Sequence, residues 1–146
     1  MADSQNGKPG TLFWALSGFF LVFNFIGLMI YYSVVTTPPE VIAESLSPAK
    51  QAFLAAEPVW ATAAYATAVT AGVIASVLLL LRKAWAFPVY VVSFVAVLVQ
   101  DLDSFVLRNG LEVWGTSGLY LPAVVIIVCV TELWYTRKAK AEGLLS

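Results

Sequence analysis

The chain has 146 residues, room for one domain, and 60% of them are hydrophobic while only 12% are charged. A soluble domain is roughly 45–50% apolar and about 25% charged. A water-soluble globule of this size would not bury the excess, so lipid is the solvent such a chain needs. The net charge of -1 lacks the basic surplus of a nucleic-acid binder, histidine is absent, and the single cysteine, Cys129, leaves no internal disulfide.

Crossing a bilayer takes about 20 mainly apolar residues. Four stretches meet that length, at about 11–35, 59–81, 85–107 and 119–135. The sequence therefore reads as an all-α integral membrane four-helix bundle, a single transmembrane domain over residues 1–146. The first stretch outruns the roughly 7–15 residues of a signal-peptide core, and no small-residue cleavage pattern follows it. It is read as a retained span. Asn24 lies near its middle, where a buried amide is costly without a partner. Such a group predicts an interhelical hydrogen bond or a polar contact on a solute path.

The connection over 36–57 is long and reads as external. Thr37-Pro38-Pro39-Glu40 has the form of a capping box with prolines at a helix start. Val41, Ile42 and Leu46 give one short apolar face. Ser47-Pro48 marks a second start, with Phe53 and Leu54 on its apolar face. Two short amphipathic helices are expected here, covering the bundle, docking a partner or serving as a linker.

The second span carries small residues at every fourth position: Ala64, Ala68, Gly72 and Ser76, with Thr67, Ala71 and Ala75 on an adjacent face. Small side chains let helix backbones approach closely, a main source of association in lipid. This span is expected to be central or to form a subunit interface.

Gln100-Asp101-Leu102-Asp103-Ser104, followed by Arg108, closes the third span. At about 1.5 Å per residue, Asp101 lies roughly 24 Å from Trp85 and in the outer third of a bilayer. Regular α-helical spacing puts Asp101, Ser104 and Arg108 on one face and turns Asp103 away. The group reads as an outward-opening proton- or cation-linked site, with Asp101 facing Arg108, or as the wet end of the span. In the fourth span Glu132 sits about one turn inside the interface, within reach of Arg82, Lys83 or Lys138, or placed for proton uptake. It lies towards the opposite side from Asp101. Cys129 falls in an apolar run as a small core or lipid-facing residue, and the tail 138–146 is expected to fray.

Aromatic residues mark the span ends: Trp14, Tyr31, Tyr32, Trp60, Trp85, Trp134 and Tyr135. Pro58, Pro88 and Pro122 fall at helix starts, where a missing N–H costs nothing. Lys8, the Arg82–Lys83 turn and the group Arg137, Lys138 and Lys140 fall on one side. Glu40, Glu44, Glu57 and Glu112 fall on the other with Lys50 and Arg108. The positive-inside rule places both termini in the cytoplasm, with a bacterial inner membrane as the expected location.

The segments Trp60-Ala61-Thr62-Ala63-Ala64-Tyr65, the run from Leu78 to Ala86, and Leu111-Glu112-Val113 with Gly115 resemble a group of small bacterial inner-membrane proteins with four spans. Members of that group sometimes carry the label "sugar transporter". The resemblance implies the four-span architecture and assigns no functional residue.

No nucleophile with a histidine partner, phosphate-cradling loop or Cys/His metal cluster is present in the sequence. The reading that follows is non-catalytic, with no cofactor, no metal and no nucleic acid. Its first form is an accessory or structural subunit packed against a larger membrane complex, its partners being the lipid bilayer and other membrane subunits. The alternative is a small homo-oligomeric solute or proton-coupled transporter with Asn24, Gln100, Asp101 and Asp103 facing one cavity. Four helices alone are expected to enclose little space, so that form calls for a second copy.

Overall fold

The computed structural model describes residues 7–146, and they form an all-helical bundle. The spans are α1 (Thr11–Thr36), α4 (Val59–Leu80), α5 (Ala86–Asp101) and α7 (Tyr120–Ala141). Two short helices, α2 (Pro39–Ser45) and α3 (Pro48–Ala55), fill the long connection. A π-helical turn, Leu102–Leu107, prolongs α5, and α6 (Gly110–Trp114) with the 3-10 turn Thr116–Leu119 leads into α7. Four helices are long and apolar enough to cross a membrane, the third including the π turn. The molecule is an integral membrane four-helix bundle.

The spans stand in chain order. α4 lies between α1 and α5, and α7 packs on α5. α4 and α5 are thus the two inner spans, and α4, with its small residues, is the more buried. Its buried stripe is Ala61, Ala68, Ala71, Gly72, Ala75, Ser76 and Leu79. Ala64 is half-buried and Thr67 exposed, so at the start of α4 the buried face runs through Ala61 and Ala68 and not through Ala64.

One end of the bundle holds the start of α1, the C-terminus and the α4–α5 turn; the other holds the short helices. Near the terminal end, Phe13, Phe20, Leu79, Tyr90 and Tyr135 form the apolar core. The Tyr135 ring lies 6.4 Å from Phe13 and 6.1 Å from Phe20, joining the first span to the last. Tyr135 is therefore a core residue and not the interfacial marker its position suggests. Trp14, Tyr32, Trp60, Trp85 and Trp134 do stand exposed near span ends.

The last helix runs on to Ala141, six residues past the predicted limit. The apolar pattern ends at Tyr135, but Arg137, Lys138 and Lys140 are good helix formers and favour the negative end of the helix dipole. The tail beyond does not fray. Gly143 takes the left-handed conformation at φ +71°, and Leu144 N–H bonds back to Ala139 O at 2.9 Å, ending the helix in a Schellman turn. Ser146 N donates to Arg82 O at 2.8 Å, and Ala84 N donates to Ser146 O at 2.9 Å. α4 ends the same way, with Arg82 in the left-handed position at φ +60° and Lys83 N bonded to Leu78 O. A non-glycine residue there costs on the order of 1–2 kcal/mol. Its guanidinium offsets that by donating to Leu144 O at 2.8 Å and Gly7 O at 2.6 Å, tying the segment before α1 to the C-terminal tail.

The capping box at Thr37 does not form. The Thr37 hydroxyl donates back to Ser33 O at 2.6 Å, and α2 starts without a side-chain cap. Its prolines set the start instead. Gln51 ties the two short helices together by donating to Ala43 O at 2.8 Å and Leu46 O at 2.7 Å.

Candidate functional site

A chain of polar groups crosses the middle of the bundle, with one member from each span. Asn24 Nδ2 on α1 lies 2.5 Å from Glu132 Oε1 on α7 and 3.2 Å from Ser76 Oγ on α4. It also lies 2.8 Å from Phe20 O on its own helix. Ser76 donates to Gly72 O at 2.8 Å and stands 2.9 Å from the Tyr90 hydroxyl on α5. Tyr90 is then the donor in that last pair. Gly72 makes the arrangement possible, because a Cβ at that position would run into the Asn24 side chain. Glu132 is 1% exposed and accepts a hydrogen bond from Asn24. The expected pairing with Arg82, Lys83 or Lys138 does not occur. Arg82 is engaged with Gly7 and Leu144, Lys83 is exposed, and Lys138 lies 3.9 Å from Glu142.

Beside this network lies a cavity of about 1070 Å³, lined by residues of both α1 and α7. Asn24, Ser93 and Cys129 lie at its floor, next to the polar chain. α1, α4, α5 and α7 contribute its walls, and α2, α3 and Trp114 of α6 cover it at the loop end. Drug-sized ligands occupy pockets of roughly 300–1,000 Å³, so one protomer supplies enough space. The expectation that four helices enclose too little, and need a second copy for it, is not met. The two short helices are the cover of this cavity. Cys129 is buried and lines it, so it faces inward and not into lipid.

The end of the third span departs most from its sequence reading. Arg108 pairs with Asp103, not Asp101: Nε lies 2.6 Å from Asp103 Oδ2 and NH2 lies 2.5 Å from it. The reason is the π turn. Arg108 N bonds to Asp103 O at 2.9 Å, five residues back, so positions five apart share a face. α-Helical counting put 101, 104 and 108 together and Asp103 away. Asp103 is 1% exposed, so this is not a wet helix end. Arg108 further donates to Phe53 O at 2.7 Å, and its guanidinium lies 4.2 Å from the centroid of the Phe53 ring. That holds α3 on the bundle. Trp114 adds to the same seat, edge-on to Phe53 at 6.2 Å and with the Lys50 ammonium 4.8 Å from its ring.

Asn24, Gln100, Asp101 and Arg108 line the cavity, while Asp103 sits behind Arg108 and Glu132 lies below Asn24. Asp101 Oδ2 is buried without a hydrogen-bond partner among the described residues. Asp101 and Glu132 are not brought together. Tyr90 and Ser93 belong to the site and were not singled out in the sequence. Each is a lone polar residue in an apolar run, and helical phase alone does not separate a cavity wall from a packed seam. Among the described residues no three His, Cys, Asp or Glu side chains group as a metal site.

No family model, no curated protein and no solved structure matches this chain.

Proposed function

We propose that this protein is a small solute carrier of the membrane, which holds an amphipathic molecule in the cavity between its first and last spans. One observation supports this most: a space of about 1070 Å³ with a mainly apolar wall and a few polar groups inside. Apolar walls with a small number of placed polar groups are what small-molecule sites have in common. Gln100, Asp101 and Arg108 stand on the wall and Asn24 at the floor. The accessory-subunit reading draws on no comparable feature, since an exposed apolar belt is what lipid alone requires.

Topology fits the same reading. Lys8, Arg82, Lys83, Arg137, Lys138 and Lys140 all belong to the terminal end. On the positive-inside rule we read that end as cytoplasmic, with a bacterial inner membrane as the proposed location. The cavity then faces the exterior and the outer leaflet, and the polar chain through Asn24 and Glu132 closes it on the cytoplasmic side.

The test is saturable binding of dansylamide, a neutral fluorescent amphiphile, to the protein in lipid nanodiscs. Fluorescence should rise to saturation. Val69→Trp, which builds a ring into the cavity wall, should abolish it while leaving the unfolding temperature within a few degrees. Purely partition-like uptake, the same for wild type and Val69→Trp, would contradict the carrier reading.

A further inference from the structure

The charges on the cavity wall narrow the class of solute. Asp101, Glu57 and Arg108 are the residues with formal charge that line it. Arg108 is matched: Asp103 lies against its guanidinium, and Phe53 takes both another N–H and the face of the cation. Its positive charge is thereby cancelled within the protein. Lys50 does not line the cavity; its ammonium rests over Trp114. The two carboxylates have no such match. Glu57 accepts one bond from the Thr62 hydroxyl at 3.2 Å, and Asp101 has an oxygen buried without a partner. Neither forms a salt bridge among the described residues.

The wall around them is aromatic as well as apolar. Phe23, Tyr31, Tyr65, Phe105 and Trp114 all line the space. Tyr31 and Tyr65 meet edge to face at 5.0 Å, joining α1 to α4 at the cavity. Ring faces attract cations and repel anions, by about 0.5–1 kcal/mol each at exposed sites and about 2 or more when dry. An unmatched carboxylate in a space of low dielectric does the same more strongly. Both features select the same sign.

Resting on the carrier reading above, we infer that the solute is an organic cation: a single positive charge on an apolar, ring-bearing or alkyl body, with Asp101 as its charge partner. The cationic centre sits toward the third span and the body fills the aromatic remainder of the cavity. Metal ions are not the fit, since no multi-carboxylate cluster is present among the described residues. Anionic amphiphiles meet two unmatched negative charges and are rejected.

Tetraphenylphosphonium and tetraphenylborate test this, being close in size and shape and opposite in charge. Their binding is measured separately by equilibrium dialysis on the full chain in nanodiscs of neutral lipid, with empty nanodiscs subtracted. The phosphonium should bind saturably and at least about tenfold more tightly than the borate, a gap of roughly 1.4 kcal/mol. Asp101→Asn should remove most of that gap, and Asp101→Glu, which keeps the charge, should retain it. Equal binding of the two ions, or a preference unchanged in Asp101→Asn, overturns the cation inference and leaves the carrier reading standing. Dansylamide binding without phosphonium binding overturns it in the same way. Failure of dansylamide and both ions to bind overturns the carrier reading and this inference together.

Discussion

Asn24 and Glu132 stand 108 residues apart in sequence, yet the amide nitrogen of one lies 2.5 Å from a carboxylate oxygen of the other. This contact joins the first and last spans where the cavity ends. Polar bonds between membrane helices contribute about 0.6 kcal/mol on average and reach about 1.7. A double-mutant cycle with Asn24→Leu and Glu132→Leu should give a coupling in the upper part of that range. Unfolding in bicelles reads it, and additive single effects would sink the contact as a stabilising one. Asn24→Leu alone should be the more harmful single change, because it strands a buried carboxyl.

Gly72 is the second test of the same network. A Cβ there meets the Asn24 side chain, with Ser93 Oγ at 3.3 Å on another side. Gly72→Ala should therefore destabilise by about 1–3 kcal/mol, the range for overpacking. Gly27→Ala, whose Cβ would lie 3.7 Å from Val69 in ordinary contact, should be near neutral. Unfolding temperatures of the two variants, measured side by side, settle the comparison.

Asp103 and Asp101 are separated by two positions and should behave oppositely. Asp103→Ala leaves the Arg108 guanidinium largely buried without its carboxylate, a change that costs about 3–5 kcal/mol in comparable sites. It should also loosen α3, since Arg108 holds the Phe53 carbonyl. Asp101→Ala breaks no side-chain hydrogen bond or ion pair among the described residues and should leave folding intact. Stability that falls for Asp101→Ala and not for Asp103→Ala would restore the α-helical register at this point.

The termini give a local readout. Arg82→Gly relieves the left-handed strain but removes two hydrogen bonds from a charged group, each worth about 1.5–3 kcal/mol. Amide exchange at Leu144 and Ser146 should rise well above wild type while exchange in α4 stays slow. Unchanged protection of the tail would show that Leu145, which is buried, holds it without Arg82.

Architecture was legible in the sequence because lipid imposes it. Apolar runs of fixed length, prolines at Pro58, Pro88 and Pro122, and the basic turn at Arg82–Lys83 located four spans, and Pro38-Pro39 and Ser47-Pro48 located the short helices. The small residues of α4 also marked it as an inner span. The site was legible only in part. Asn24, Gln100, Asp101, Asp103, Arg108 and Glu132 stand out as polar residues in apolar runs, but their partners depend on helical phase. One π turn moved Arg108 from Asp101 to Asp103. Tyr135 lies at a span end by counting, yet its helix continues and carries it into the core. The cavity was not legible at all, since its wall is assembled from α1, α4, α5 and α7 together, which no local pattern encodes.

Cys129 offers the most direct test of the cavity, because it lies at the floor and is the only cysteine in the chain. In reconstituted vesicles, ethylmercury, a small reagent whose affinity for sulfur displaces the thiol proton of a buried cysteine, should modify Cys129 in the folded protein, and Val69→Trp should slow the reaction about tenfold or more without lowering the unfolding temperature. A thiol that reacts only on unfolding, at a rate indifferent to Val69→Trp, would contradict the cavity as a solute site.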